Sequence, residues 1–401
     1  MSYLVFNRSI ESIPPTESLK ILILSLLWGI WMLFKRLTIK VWNPKSLEYL
    51  SKRDNPPACL VSASYGNHTF VKLKGVKLHY VEAGCKADPV LLLLHGFPDC
   101  WIGWRHQMQE FSKYYRVIAI DLKGFGDSDK PLSRKSYRID IVLAELQDLI
   151  ASFGVKSCSV VGHDLGALLG WYLVHLVPEL ITKFVAISCP HPNIYWTSLP
   201  NSSQFNSRWV HFSQTPYLPE MDALRNDLSI INSCHQHLIN EAKTNSFIDA
   251  YKYTFSRIDD WTGPINYYRN LPFSRIGKSS TIDVPCLLIV GNKDSSVLLE
   301  SIIKSTEYIE KYVLKVIEDA GHFPHQEYPE VVNQVLFKFL VGSAAVSPEK
   351  SPSGLVNRLF GTVISARNYG NQVFENVQQG VVSRALSFSP TPAALMSVLK
   401  S

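Results

Sequence analysis

The chain has 401 residues, of which 46% are hydrophobic and 18% charged, a balance too apolar for a disordered chain and too charged for a polytopic membrane protein. Forty basic residues against 34 acidic ones leave a formal charge of +6, without the basic stripe of a nucleic-acid binder. The seven cysteines are scattered and form no C-x-x-C, which argues against both a disulfide framework and a zinc site.

The first element is an apolar run at residues 21–34, ILILSLLWGIWMLF, extended by Leu19 and Leu37 across Lys20, Lys35 and Arg36. Terminal lysines can snorkel, so a helix over about 19–37 reaches the lower limit for a membrane span. A cleaved signal peptide is disfavoured by the leader containing Glu11 and Glu17 and by the lack of a small-x-small site. A core or surface helix is the remaining alternative. Lys35, Arg36, Lys40 and Lys45 follow the run, so the positive-inside rule places the bulk of the chain in the cytosol. The expectation is a single-pass anchor within residues 1–50, in the endoplasmic reticulum, with a lipid droplet as the other surface. The scattered free cysteines suit that reducing side.

Between residues 68 and 342 short apolar runs alternate with helical patterns. Phe70–Leu73 and Val76–Val81 read as a hairpin around Gly75. Val90–Leu94, Val117–Ile120, Cys158–Val161, Phe184–Ile187 and Cys286–Val290 read as buried parallel strands. Helical patterns lie between them at Ile139–Phe153 and Leu165–Leu176. The class is α/β with a mainly parallel sheet. The alternation fails at 192–275, a stretch rich in Trp, Tyr, Asn and Ser with a helical patch at Phe247–Phe255. That stretch is expected to be a helical cap inserted after the sixth strand. It divides the core into 68–191 and 276–342.

Residues 343–354 read as a linker. In the tail that completes 343–401, Leu355, Val356, Leu359, Val363 and Ile364 recur eighteen positions later as Val373, Phe374, Val377, Val381 and Val382. Eighteen residues make five helical turns, so both sets share a face. The expectation for 355–386 is an amphipathic helix on a membrane or lipid-droplet surface, with packing on the protein or a partner, or disorder, as the alternatives.

The chemistry sits at the strand ends. Gly162-His163-Asp164-Leu165-Gly166 joins a strand to a helix, the pattern of a nucleophile elbow with aspartate as nucleophile. A capping aspartate is the structural alternative. His95-Gly96-Phe97-Pro98 ends an earlier strand, where Phe97 N–H and Leu165 N–H can form an oxyanion hole from backbone alone. Asp294 follows the strand of Leu287–Val290, and His322 precedes the last helix. Nucleophile, acid and histidine thus come in the order of an α/β-hydrolase. His235 and His237 are expected on the surface or in the cap, because an H-x-H pair alone is weak evidence for metal.

From about residue 70 to 342 the chain resembles the epoxide hydrolases of the α/β-hydrolase superfamily, most of all the membrane-anchored animal members. The motifs that carry the resemblance are HGFP at 95–98, DLKGFGDSDKP at 121–131, GHDLGA at 162–167, CPHPN at 189–193, YYRN at 267–270 and GHFPHQEYPE at 321–330. The resemblance implies attack by Asp164 on a small lipophilic epoxide. The glycol ester is then cleaved by water that His322 activates and Asp294 orients, giving a vicinal diol. It implies no cofactor and no metal. The family protonates the epoxide oxygen with two cap tyrosines. Tyr268 matches one, and Trp209 stands at the other. An indole N–H donates a hydrogen bond but is a poor acid; nearby Tyr217 is a substitute out of register. Leu165 replaces the tryptophan common in the family, which argues against halide release. The competing readings are a dehalogenase or a related enzyme, and a weak or inactive hydrolase-fold protein that binds lipid or acts as a scaffold.

Overall fold

The computed structural model describes residues 10–42, 53–239, 245–277 and 281–342. The linker and the amphipathic tail at 343–401 lie outside the described residues.

A short strand β1 (Ile10–Ser12) precedes a 28-residue helix, Pro15–Trp42. The helix is longer at both ends than the apolar run that announces it. Strands β2 (Asn67–Leu73) and β3 (Val76–Ala83) form the expected hairpin. Gly75 turns it at φ +91°, a left-handed conformation that favours glycine. Then come β4 (Val90–Leu94), β5 (Arg116–Ile120), β6 (Cys158–His163), β7 (Ile181–Ile187), β8 (Ser274–Ile276), β9 (Cys286–Gly291) and β10 (Tyr312–Ile317).

The main sheet runs β10-β9-β7-β6-β4-β5-β3-β2. Every pairing from β10 to β5 is parallel, and the two at the β2 edge are antiparallel. β4, β6 and β9 are buried along their whole lengths, because helices cover both faces. That is why these strands read as unbroken apolar runs rather than as alternation. The parallel arrangement brings the C-terminal ends of β4, β6, β9 and β10 to one edge, where open α/β sheets bind ligands.

The chain leaves this sheet after β7 and returns through β8. Between them lie helices at Pro192–Tyr195, Ser207–Ser213, Leu218–Ala223, Arg225–Cys234, Asn245–Thr254 and Asp259–Tyr268. Asn193 ties the exit to the return, because its side chain donates to Ile276 O (2.8 Å) and accepts from Ile276 N (2.9 Å). Arg269, from the YYRN motif, closes the insertion on itself. It pairs with Glu220 at 2.7 Å and donates to Ser213 O and Thr215 O. β1 was not foreseen in the sequence. It pairs antiparallel with β8 in a separate two-stranded sheet.

Candidate active site

Asp164 sits at the turn from β6 into the helix Leu165–Leu176, with φ 45° and ψ −114°. A non-glycine residue at positive φ is uncommon and stores strain. The flanking glycines make the turn possible. A Cβ on Gly162 would lie 2.5 Å from Ala167 Cα, and one on Gly166 would lie 2.1 Å from Leu94 O. The glycines of the G-x-D-x-G pattern are therefore a packing requirement.

Phe97 N–H donates to Asp164 Oδ2 at 3.0 Å, and Leu165 N–H also faces this carboxylate. His95 holds the Phe97 turn in place. Its Nδ1–H donates to Gly96 O at 2.8 Å, and its Nε2 accepts from Leu122 N at 3.1 Å. Those two bonds fix a neutral tautomer. Gly96 is required beside it, since a Cβ there would lie 2.7 Å from His163 Nδ1. Pro98 O accepts from His235 Nε2 at 2.8 Å. His235 is therefore fully buried, stacked on Tyr251 at 3.9 Å, and steadies the turn from the insertion.

On the other side, His322 Nδ1 lies 2.9 Å from Asp294 Oδ2, and its Nε2 lies 3.8 Å from Asp164 Oδ1. Asp294 Oδ1 accepts from Ser296 N and Val297 N at 2.7 and 3.0 Å, so this carboxylate is fully engaged. Glu327, from the GHFPHQEYPE motif, fixes the His322 loop by accepting from Gly321 N and Phe323 N. Burial opposes a charge on His322, but Asp294 and Asp164 outweigh it and lift its pKa to about 10. Burial would also raise Asp164, yet His322 and the backbone donors hold it below the usual carboxylate range. Asp294 is held down in the same way. The resting arrangement is an imidazolium between two carboxylates.

Tyr268 ends the helix Asp259–Tyr268 and is buried. Burial, and then the Asp164 charge, push its phenol well above the usual value, so it is an O–H donor at neutral pH. Trp209 comes from the helix Ser207–Ser213, with its ring 5.0 Å from Tyr268 and 5.7 Å from Phe97. The insertion thus places both sequence-predicted positions over the turn that carries Phe97. Tyr217 does not join them. It is 74% exposed, so the out-of-register substitute is turned to the surface.

Tyr195 was missed in the sequence reading. It is buried, hydrogen-bonded to Tyr268, and pushed up by burial and then by Asp164. The only signal was its place two residues after CPHPN. Behind the elbow, Asp99, His163 and His325 bring ligand atoms within 4.8 Å of one another, the one such group among the described residues. Burial raises Asp99 to about 7 and lowers His163 to about 3. His163 Nε2–H donates to His322 O at 2.8 Å, so this group braces the His322 loop from behind.

Residues 89–329 match the α/β-hydrolase fold family. Human epoxide hydrolase 4 is 34% identical over 303 residues, covering 72% of this chain and 83% of that protein. Epoxide hydrolase 3 of Xenopus tropicalis is 36% identical over 310 residues, covering 74% and 84%. The chain belongs to the epoxide hydrolase family. It is thereby a hydrolase that acts on epoxides. A solved Bacillus megaterium epoxide hydrolase in complex with an inhibitor superposes at a TM-score of 0.61 and 28% identity, covering 68% of this chain and all of that one.

Proposed function

We propose that this protein converts lipophilic epoxides, including epoxides of unsaturated fatty acids, to vicinal diols through an ester on Asp164. The observation that carries the reading is the division of labour at one carboxylate. Oδ2 takes the Phe97 N–H, while Oδ1 is left 3.8 Å from His322 Nε2.

Attack at saturated carbon by a serine would leave an ether that water does not cleave. Attack by Asp164 Oδ1 leaves an ester, and the Tyr268 O–H protonates the opened ring oxygen. Alkylation also removes one of the two negative charges that keep His322 protonated. The proton that His322 then releases restores the phenol, and His322 becomes a base. It takes a proton from water, which adds to the acyl carbon of Asp164. Phe97 N–H and Leu165 N–H hold the oxyanion. Collapse frees the diol and returns Asp164 and His322 to their charged forms. Trp209 contributes a ring wall and an N–H hydrogen-bond donor, not an acid.

Membrane attachment through Pro15–Trp42, with the catalytic part on the cytosolic face of the endoplasmic reticulum, fits the lipophilic substrate class. The flanking Lys35, Arg36 and Lys40 support that placement, and so do the free cysteines.

The test is a single turnover in oxygen-18 water with protein in excess over an epoxy fatty acid. The first diol is expected to be unlabelled, since its new oxygen comes from Asp164, and it should be absent with Asp164→Ala. Fully labelled diol would mean direct attack by water and would refute the ester route.

A further inference from the structure

We infer that this chain is held on one leaflet of a bilayer rather than threaded through it, with Ile10–Ser12, ahead of the apolar helix, on the same side as the catalytic domain. The inference rests on the membrane reading above and changes its topology. A single pass would put residue 10 and the catalytic domain on opposite faces of a hydrocarbon layer about 30 Å thick. In the structure they are hydrogen-bonded together. Ile10, Glu11 and Ser12 are in register with Ile276, Arg275 and Ser274, and Ile13 N donates to Phe273 O at 3.1 Å. Ile13 is buried. Both ends of the apolar helix therefore belong to one side.

The helix is also docked along its length. Ile21, Ser25, Trp28, Gly29 and Met32 recur at helical spacing and form the covered face. That face lies on the helix Ser207–Ser213 and the turn after it. A Cβ on Gly29 would come 2.6 Å from Thr215 Cγ2, and the Arg208 guanidinium lies 5.8 Å from the Trp28 ring. An upright helix docked in this way would draw Arg208, which lies over Trp28 in the middle of the apolar run, into hydrocarbon, where charges are costly. Lying flat, the helix leaves Arg208 at headgroup level.

The uncovered side identifies the occupant as lipid. Leu19, Leu22, Leu26, Ile30, Leu33 and Phe34 are each 46–64% exposed. Lys20 stands at one end of this surface and Lys35 and Lys40 at the other, placed for anionic headgroups. The docked face also bears on function. Phe212, Asp222 and Arg225 line the groove under the helix and also wall a cavity of about 290 Å³ beside Trp209. The leaflet therefore stands next to the cap, and the substrate class it supplies is epoxide dissolved in lipid.

The test uses the full chain in sealed microsomes, with an N-terminal extension that carries an epitope and an N-glycosylation acceptor. The protein is expected to pellet through high salt, with the extension unglycosylated. Protease should digest the epitope and the catalytic domain together. A glycosylated, protected epitope on a digestible domain would establish a span and overturn the leaflet topology, leaving membrane attachment intact. Protein in the supernatant would overturn attachment itself, and a dimer there would mean that a second copy covers the apolar side. A second measurement needs no extension. Glu11→Cys with Arg275→Cys, directly opposed in the small sheet, should cross-link under mild oxidation in the same vesicles, beyond either single variant. Absence of that cross-link would overturn the docking.

Discussion

Asp294 accepts two backbone N–H groups besides facing the His322 ring, while Trp209 meets its neighbours Phe97, Phe205 and Tyr268 through its rings. The same contrast runs through the whole site. On the sheet side, each charged group is held by directional bonds that start from strand ends. On the cap side, aromatic surfaces make the wall, and directional bonds fasten the helices that carry them. The sheet side needs fixed charges at fixed distances, and backbone geometry supplies them. The cap side must enclose a substrate, and apolar surface tolerates changes of shape. A substitution such as Trp at 209 is therefore easier to absorb in the cap than a change at Asp164 would be at the elbow.

The largest expected effect comes from breaking the sheet side. On the proposed ester route, His322→Gln removes the base for ester hydrolysis and leaves Asp164 in place as nucleophile. Turnover should fall on the order of 10⁴-fold or more. The protein should instead accumulate one equivalent of alkylated Asp164, read as an increase in intact mass equal to that of the epoxide. Loss of turnover without that mass would mean that His322 is needed for the first step too.

The charge coupling gives a second, smaller effect. His322 is raised to about 10 by Asp294 and Asp164 together. A raised histidine stabilises the fold fully below its unfolded value near 6.5, and that stabilisation is lost as pH rises through the folded value. Asp164→Asn removes one of the two charges, so the folded pKa falls. The upper edge of the stabilised window should move to lower pH. Histidine NMR titration reads the shift directly, and thermal midpoints between pH 6 and pH 10 read its consequence. A wild-type His322 that titrates near 6.5 would break the picture of an imidazolium between two carboxylates.

The two sides were also unequally legible. Continuous apolar strands and the glycine-flanked elbow read directly, because burial on both faces and backbone close approach each leave a strong local pattern. β1 and β8 left none, since each has three residues and they meet across more than 260 positions. Tyr195 was hidden for a related reason. Its nearness to Tyr268 is made by the return of the chain from the cap, which local spacing does not encode. His235 read as half of an H-x-H pair on the surface or in the cap, and only the tertiary fold shows that it is buried and serves Pro98 O.

The smallest expected effects sharpen the cap side. Tyr268→Phe removes the phenol proton and should slow alkylation about 10²-fold, the low end for loss of a general acid. Trp209→Tyr adds a phenol whose neighbours are already in place, 5.0 Å ring to ring from Tyr268. Its gain should be about tenfold in the rate of ester formation, or ~1.4 kcal/mol off the barrier. The two changes share one proton-transfer step, so they should not be additive: Trp209→Tyr should gain more in the Tyr268→Phe background than alone. Rapid-quench measurement of ester formation in the four proteins tests this. Tyr217→Phe, at an exposed site, serves as the control and should leave the rate unchanged. If instead Trp209→Tyr slows the reaction, the indole is a required wall of the pocket, and the tolerance argued for the cap does not extend to position 209.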